Sequence, residues 1–237
     1  MTEAPVARLF QIATRPRPIH SQPEVVLPVH RDRPIPEEVL FRSVSNGAND
    51  TETPADGRRR ILELGSGWGE FLAAWLAEHP DDDYTAFEIK SDRIRRTLKY
   101  LHKLPAPHPH LRVVPVNFTW FLEGILPPRS FDWIIINFPD PWPKRRHWKH
   151  RLVRPGFPER MAPLLRPGGQ IHLATDYGPY ARKMIQLFRR SAHFEAVFPA
   201  PEYLRRRPAD VPLTRFEQIT GAGEGRVPYF SRWRLRA

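Results

Sequence analysis

The chain has no cysteine among its 237 residues, which excludes disulfide scaffolds and thiolate metal centres. No stretch approaches the roughly 18 consecutive apolar residues of a membrane-spanning helix. An apolar core behind a basic leader is missing from the N-terminus, so no secretory signal is expected. These absences point to a cytoplasmic protein with no membrane partner. Acidic residues are in deficit too: 26 Asp and Glu face 37 Lys and Arg, for a formal net charge of +11 and a pI near 10.5. A field of that sign draws polyanions, nucleic acid first among them; an arginine-rich composition alone is the competing explanation.

What is plentiful is proline, 28 residues in all. Residues 1–57 are rich in it, hold no helical or strand period and close on "SNGANDTETPADG". They read as a flexible extension, with 58–237 as the folded domain. From Arg58 onward, strand and helix patterns alternate. "RRRILELG" (58–65) reads as a strand entering a glycine turn, and Trp68 to His79 as a helix burying Phe71, Leu72, Trp75 and Leu76. "YTAFEI" (84–89) is a second strand, and Ser91 opens a basic helix running to about Lys103. "LRVVPV" (111–116) and "FDWIIIN" (131–137) give strands three and four, and Pro158 to Leu165 a short helix stopped by "RPGG". "QIHLATD" (170–176) is the fifth strand, with a helix over 177–191. "FEAVF" (194–198) and "YFSRWRLR" (229–236) complete the set. Alternation of this kind predicts an α/β, doubly wound, Rossmann-like sheet, mostly parallel. A long loop rather than a helix joins the last two strands, which predicts an antiparallel C-terminal hairpin.

The turn "ELGSGWGEF" (63–71) follows the first strand. In such sheets ligands bind at the carboxyl ends of the strands, and Gly65, Gly67 and Gly69 clear the backbone for a close approach. The spacing is not a dinucleotide fingerprint, because Glu70 stands where its last glycine belongs, and no Lys-Ser/Thr pair makes a Walker loop. Glu63 would repel a pyrophosphate and attract an ammonium group, such as that of S-adenosylmethionine. Glu88, nineteen residues past Gly69, closes the second strand where a carboxylate can accept both ribose hydroxyls. Asn117 closes the third, with an amide suited to an adenine edge.

After the fourth strand comes "NFPDPWPKRRHWKHR" (137–151). Pro139 and Pro141 restrict Asp140 from both sides, so its carboxylate is held at low entropic cost. The strand order expected of this fold puts it at the cofactor's reactive end. Asp-Pro is common in plain turns, but its place in the topology favours function. Lys144, Arg145, Arg146, Lys149 and Arg151, with Trp148 among them, suit phosphate contacts with a stacking ring. His147 and His150 are three apart, yet without cysteine or an acidic neighbour they are not read as metal ligands, and no metal is expected.

These segments resemble the signature of the bacterial tRNA (guanine-N7)-methyltransferases. The likeness rests on "FPDPW-x-K-x-RH-x-K-x-R" at 138–151, "ELGSGWG", "FEIK" (87–90), "ATDYGPYA" (174–181) and "LTRFE" (213–217). It covers Arg58 to the C-terminus. The resemblance implies S-adenosylmethionine as cofactor, tRNA as partner and the variable-loop guanine as target. It implies that Glu63, Glu88, Asn117 and Asp140 contact the cofactor or its surroundings, beside the turn of Gly65, Gly67 and Gly69, with Asp140 the active-site residue. By the same matching, Lys144, Asp176, Thr214, Arg215, Phe216 and Glu217 contact substrate, and Arg146, His147, Trp148, Lys149, His150 and Arg151 lie along the RNA. Asn117 stands where the family usually has Asp, and Pro143 where His is common. The expected assembly is a monomer or a homodimer. Two rival readings stand beside it: a same-fold methyltransferase on a small molecule or protein, and a catalytically silent RNA-binding protein.

Overall fold

Residues 24–27, 33–41, 57–101, 110–117, 124–221 and 226–236 are described by the computed structural model. The chain forms two compact units, residues 1–130 and 131–237.

In the first unit Arg60–Leu64 forms β1, buried at every position, and pairs in parallel with β2, Asp83–Phe87. A third parallel strand, β3 (Leu111–Val114), pairs with β2, giving the order β3-β2-β1. Burial on both faces is what a parallel sheet demands, and here it extends to the ionisable Arg60, Glu63, Asp83 and Arg112. A short helix, α1 (Glu37–Phe41), precedes β1; α2 (Glu70–Glu78) follows it and buries Phe71, Leu72, Trp75 and Leu76, the face its period predicts. Helix α3 (Ser91–Leu101) buries Ile94, Thr97, Leu98 and Leu101 and exposes Arg95, Arg96 and Lys99.

Two pieces of the 1–57 stretch pack on this unit. Val25 bridges Val113, and the Ile35 N–H donates to the Ile125 carbonyl at 2.9 Å. In α1, Glu37 pairs with Arg60 at 3.0 Å and the Val39 carbonyl accepts from Arg112 Nε. Five residues are too few to display a helical period, so α1 has no signature in the sequence. Most of 1–57 lies outside the described residues.

The second unit opens on β4, Phe131–Asn137, with the bounds the sequence predicts. Helix α4 (Phe157–Met161) and a 3₁₀ turn (Ala162–Leu164) lead into β5, Leu165–Thr175. Strand β5 starts earlier than expected because "RPGG" does not stop the chain: Gly168 adopts φ +75°, and the β4–β5 register shifts between Phe131 and Trp133. Helix α5 (Gly178–Arg190), β6 (Phe194–Ala196), α6 (Arg215–Gly221) and β7 (Tyr229–Leu235) complete the unit. Strands β4 and β5 are parallel. β7 runs antiparallel to β5 on one side and to β6 on the other, so the strand order is β4-β5-β7-β6. The expected C-terminal hairpin is present, and β7 additionally inserts between β5 and β6. The core here is aromatic: Phe188 stacks on Trp233 at 5.5 Å, with Phe194 and Phe157 edge-on to Phe188. Among the described residues no helix is long and apolar enough to cross a membrane.

Candidate functional site

In the first unit the polar groups gather after β1 and β2. Gly65, Gly67 and Gly69 all have positive φ, at 88°, 59° and 82°, a region costly for side chains with a Cβ. A Cβ at Gly69 would also meet Thr97 at 2.5 Å, so this glycine is what lets α3 close on the turn. Glu88 ties the turn together: its carboxylate accepts the N–H groups of Gly67, Ile89 and Lys90 at 2.9–3.0 Å, and Arg93 approaches at 3.5 Å. Ile89 beside it is 53% exposed, and the Ser66 hydroxyl is buried with no partner among the described residues. An exposed apolar side chain and an unsatisfied hydroxyl around an open glycine backbone, beside a carboxylate held in place on both oxygens, fit a nucleoside-type cofactor. Asn117 lies three residues past the end of β3.

Glu63 behaves differently from the expected cofactor-facing carboxylate. It is buried within β1, where Tyr84 Oη donates to it at 3.0 Å. Burial pushes its pKa up to about 8, against the lowering effect of the Tyr84 hydrogen bond, and the nearby Glu88 charge adds to the rise. In the free protein at neutral pH it is therefore largely a neutral acid, with no charge to attract an ammonium group. The cause is the sheet itself: every residue of β1 is buried, so a glutamate there is covered whatever follows it.

In the second unit Asp140 and Asp176 line one cleft of about 460 Å³ with Phe138, Pro139, Pro141, Pro143, Tyr177, Phe216 and Arg226. Strand β4 delivers Asp140 and strand β5 delivers Asp176. Asp140 is exposed, whereas the Asp176 side chain is 9% exposed and accepts from Arg226 at 3.3 Å. The Pro-Asp-Pro segment is bracketed by two aromatic residues in left-handed backbone, Phe138 at φ +47° and Trp142 at φ +41°. Bulky residues rarely adopt that conformation, and such strain persists only where surroundings impose it. Arg151 supplies part of the constraint: its Nε donates to the Pro141 carbonyl at 2.7 Å and its Nη2 to that of Trp142 at 3.3 Å. Trp148 and Tyr180 flank the same guanidinium, each 4.7 Å away.

Arg151 thus separates from the cations with which it is grouped by sequence. It is 6% exposed, too covered to lie along RNA, and it positions the Asp140 loop. The rest of the run forms a 3₁₀ helix, Arg145–His150, exposing Arg145, Arg146, Trp148, Lys149 and His150, with Lys144 exposed just before it. Trp142 packs against the rings of His147 and His150, at 5.7 and 5.3 Å.

"LTRFE" resolves into two pairs of residues with different work. Thr214 and Glu217 form a capping box for α6: the Thr214 N–H and hydroxyl donate to Glu217, and the Glu217 N–H donates to Thr214 Oγ1. Arg207 also approaches Glu217, at 3.6 Å. The family likeness places both residues at the substrate; their side chains instead satisfy one another. Phe216, between them, faces the cleft and packs on Phe138 with ring centroids 4.5 Å apart, and Arg215 is exposed. Phe138, Tyr177 and Arg226 are lining residues that sequence reasoning missed. Tyr177 directly follows Asp176 and Phe138 sits one residue before Pro139, so their nearness was available; nothing in "GEGRVPY" marks Arg226.

Comparison with known proteins bears on these sites. Residues 58–227 match the family described as "Putative methyltransferase". A protein of Leptospira interrogans named tRNA (guanine-N(7)-)-methyltransferase is 40% identical over 172 residues, 73% of this chain and 77% of its own length. Proteins of the same name from Nitrosomonas europaea and Halorhodospira halophila are 39% and 35% identical over 71% and 75% of this chain, and 76% and 75% of their own lengths. The fold is that of solved methyltransferases. A 16S rRNA methyltransferase, KamB, superposes with a TM-score of 0.54 at 13% identity, covering 76% of this chain and 88% of that one. An rRNA methylase from Streptococcus thermophilus gives 0.51 at 14% identity, with the same coverages. By the extent and identity of these matches, the chain belongs to the tRNA (guanine-N7)-methyltransferase family.

Proposed function

We infer that the protein transfers a methyl group from S-adenosylmethionine to N7 of a guanine in tRNA, in the cytoplasm, and that the target is the variable-loop guanine. The observation that carries this reading is the pair of carboxylates, Asp140 and Asp176, in a cleft that adjoins an exposed cationic helix. A nucleobase destined to become cationic, carried on a polyanion, needs that combination of opposite signs. A small-molecule or protein substrate would leave the cations of 144–150 without a role, and a silent RNA-binding protein would have no use for a rigidly held Asp140.

Glu88, Ser66 and the glycine turn would hold the cofactor, Glu88 at the ribose and the exposed Ile89 against the base. When bound, S-adenosylmethionine supplies an electrophilic methyl on a cationic sulfur, and its capture by the N7 lone pair passes the positive charge to the purine. N7 carries no proton, so no side chain has to act as a base. The protein's work is alignment, exclusion of water and stabilisation of charge. Asp140 and Asp176 face the base, accept from its N1–H and N2 amino group and stabilise the charge that develops on the ring. Adenine lacks that donor edge and would leave Asp140 without a partner on the base and Asp176 with Arg226 alone. Arg226 on Asp176 occupies the acceptor that the base would take, and exchanges one set of N–H donors for another. Phe216 on Phe138 offers a stacking surface.

The test is methyl transfer from labelled cofactor to unmodified tRNA transcripts, followed by chain cleavage specific for 7-methylguanine. Label with cleavage at the variable loop is expected. Label without cleavage would move the methyl to another atom, and cleavage elsewhere would move it to another guanine. Binding of RNA and cofactor with no label transferred would favour the silent reading.

A further inference from the structure

We propose that Asn137 reads the 6-keto oxygen of the target guanine, its amide Nδ2–H donating to that oxygen; this rests on the reading above. Both polar atoms of the Asn137 side chain are buried, and neither has a hydrogen-bond partner among the described residues. Buried amides are nearly always bonded, and an unmet pair of donor and acceptor costs stability. Such a group persists where a ligand satisfies it. Asn137 is the last residue of β4, opposite Ala174 on β5, at the carboxyl ends of two parallel strands. Ligands bind at those ends in open α/β sheets.

The neighbours narrow the ligand. Asn137 directly precedes Phe138 in the cleft wall, and its register partner Ala174 lies two residues before Asp176. The cleft already offers two acceptors, Asp140 and Asp176, for the N–H groups of guanine. For O6, the atom next to N7 in the major-groove pattern, the lining holds one neutral side-chain donor, the Tyr177 hydroxyl, and the unbonded Asn137 amide adds a second at the end of β4. A lysine or arginine there would oppose the positive charge developing on the ring; an amide would not. Because no group among the described residues bonds the Asn137 amide, turning it toward the cleft breaks no hydrogen bond seen there.

The experiment compares wild type with Asn137→Ala on two ligated tRNAs, one with guanine and one with 6-thioguanine at the methylated position. Sulfur is a poor acceptor, so wild type should prefer guanine by about tenfold in kcat/KM, the worth of one hydrogen bond. Asn137→Ala should lose about tenfold on guanine and show the two substrates within about twofold. Its affinity for the demethylated cofactor, by calorimetry, should stay within about threefold. Its unfolding temperature should be unchanged or higher, because the substitution removes a group left unsatisfied in the free protein. An undiminished preference for guanine in the variant overturns the assignment, as does a loss of cofactor affinity equal to the loss of rate, or a marked drop in unfolding temperature. A wild type that methylates neither tRNA overturns the functional reading itself.

Discussion

At the residue scale the structure turns on how Asp140 is held. Two prolines restrict its backbone, two left-handed aromatic residues bracket it, and a buried arginine fastens the carbonyls of Pro141 and Trp142. Each strained residue costs about 1–3 kcal/mol, so the frame exists at the expense of stability. That expense is intelligible if Asp140 must meet a developing charge without reorganising. Replacing it with the isosteric Asn keeps the shape and removes the charge. We expect Asp140→Asn to lower kcat by roughly 100-fold or more, while cofactor affinity measured by calorimetry stays within about threefold. Equal losses in the two would make Asp140 a cofactor ligand rather than the residue that stabilises the base. The rigidity of this aspartate was legible in the sequence, since proline restricts its neighbours wherever it occurs. The role of Arg151 was not. Ten residues separate it from Pro141, and only the intervening 3₁₀ turn brings its guanidinium under the loop while its sequence neighbours stay in solvent.

At the element scale the 3₁₀ helix Arg145–His150 is the surface most suited to a phosphate backbone. It exposes several cations and a tryptophan on one short turn, and no residue in it is buried. Neutralising Lys144, Arg145 and Arg146 together to Gln should raise KM for tRNA and leave kcat for saturating tRNA nearly unchanged. The slope of log affinity against log salt should flatten by about one for each phosphate that the variant no longer neutralises. Filter binding across a salt series reads this directly, and an unchanged slope would make the helix a solvated loop. Elements were legible where a local rule sufficed. Strand β4 matches its expected bounds to the residue because "FDWIIIN" is apolar and bounded by a turn and a proline; the buried face of α2 follows from its period. The capping box in "LTRFE" fits a known spacing, Thr followed three residues later by Glu, yet the family likeness assigns the same residues to the substrate, and spacing alone does not separate a cap from a ligand. Two features have no local signal at all. The five residues of α1 are too few to show a period, and the insertion of β7 between β5 and β6 depends on pairing between segments more than fifty residues apart.

At the scale of the whole molecule each unit conceals one titratable group whose burial governs how stability responds to pH. In the first unit it is Glu63, held up to about 8 by burial, with Tyr84 and Glu88 as its neighbours. In the second it is His172 on β5, fully buried with neither ring nitrogen bonded among the described residues. Burial first, then the nearby Arg232 charge, push its pKa down to about 3, against the opposing pull of Asp210. The signs differ. Glu63 ionises in the unfolded chain above about 4.5 but keeps its proton when folded, so stability is lost as pH rises from there to about 8. His172 is protonated in the unfolded chain below about 6.5 but stays neutral when folded, so stability is lost as pH falls from there to about 3. Each effect has a ceiling on the order of 5 kcal/mol at about 1.4 kcal/mol per unit. Between about 4.5 and 6.5 the two slopes oppose each other, so their combined contribution is flat there and falls on either side. Urea unfolding of the ligand-free protein from pH 4 to pH 8 should resolve the two limbs separately. Glu63→Gln, which keeps an acceptor for Tyr84 and cannot ionise, should abolish the alkaline limb and leave the acid one. His172→Leu, which sacrifices no hydrogen bond, should do the reverse. Curves for the three proteins that stay parallel across this range would mean that neither group remains uncharged in the folded state.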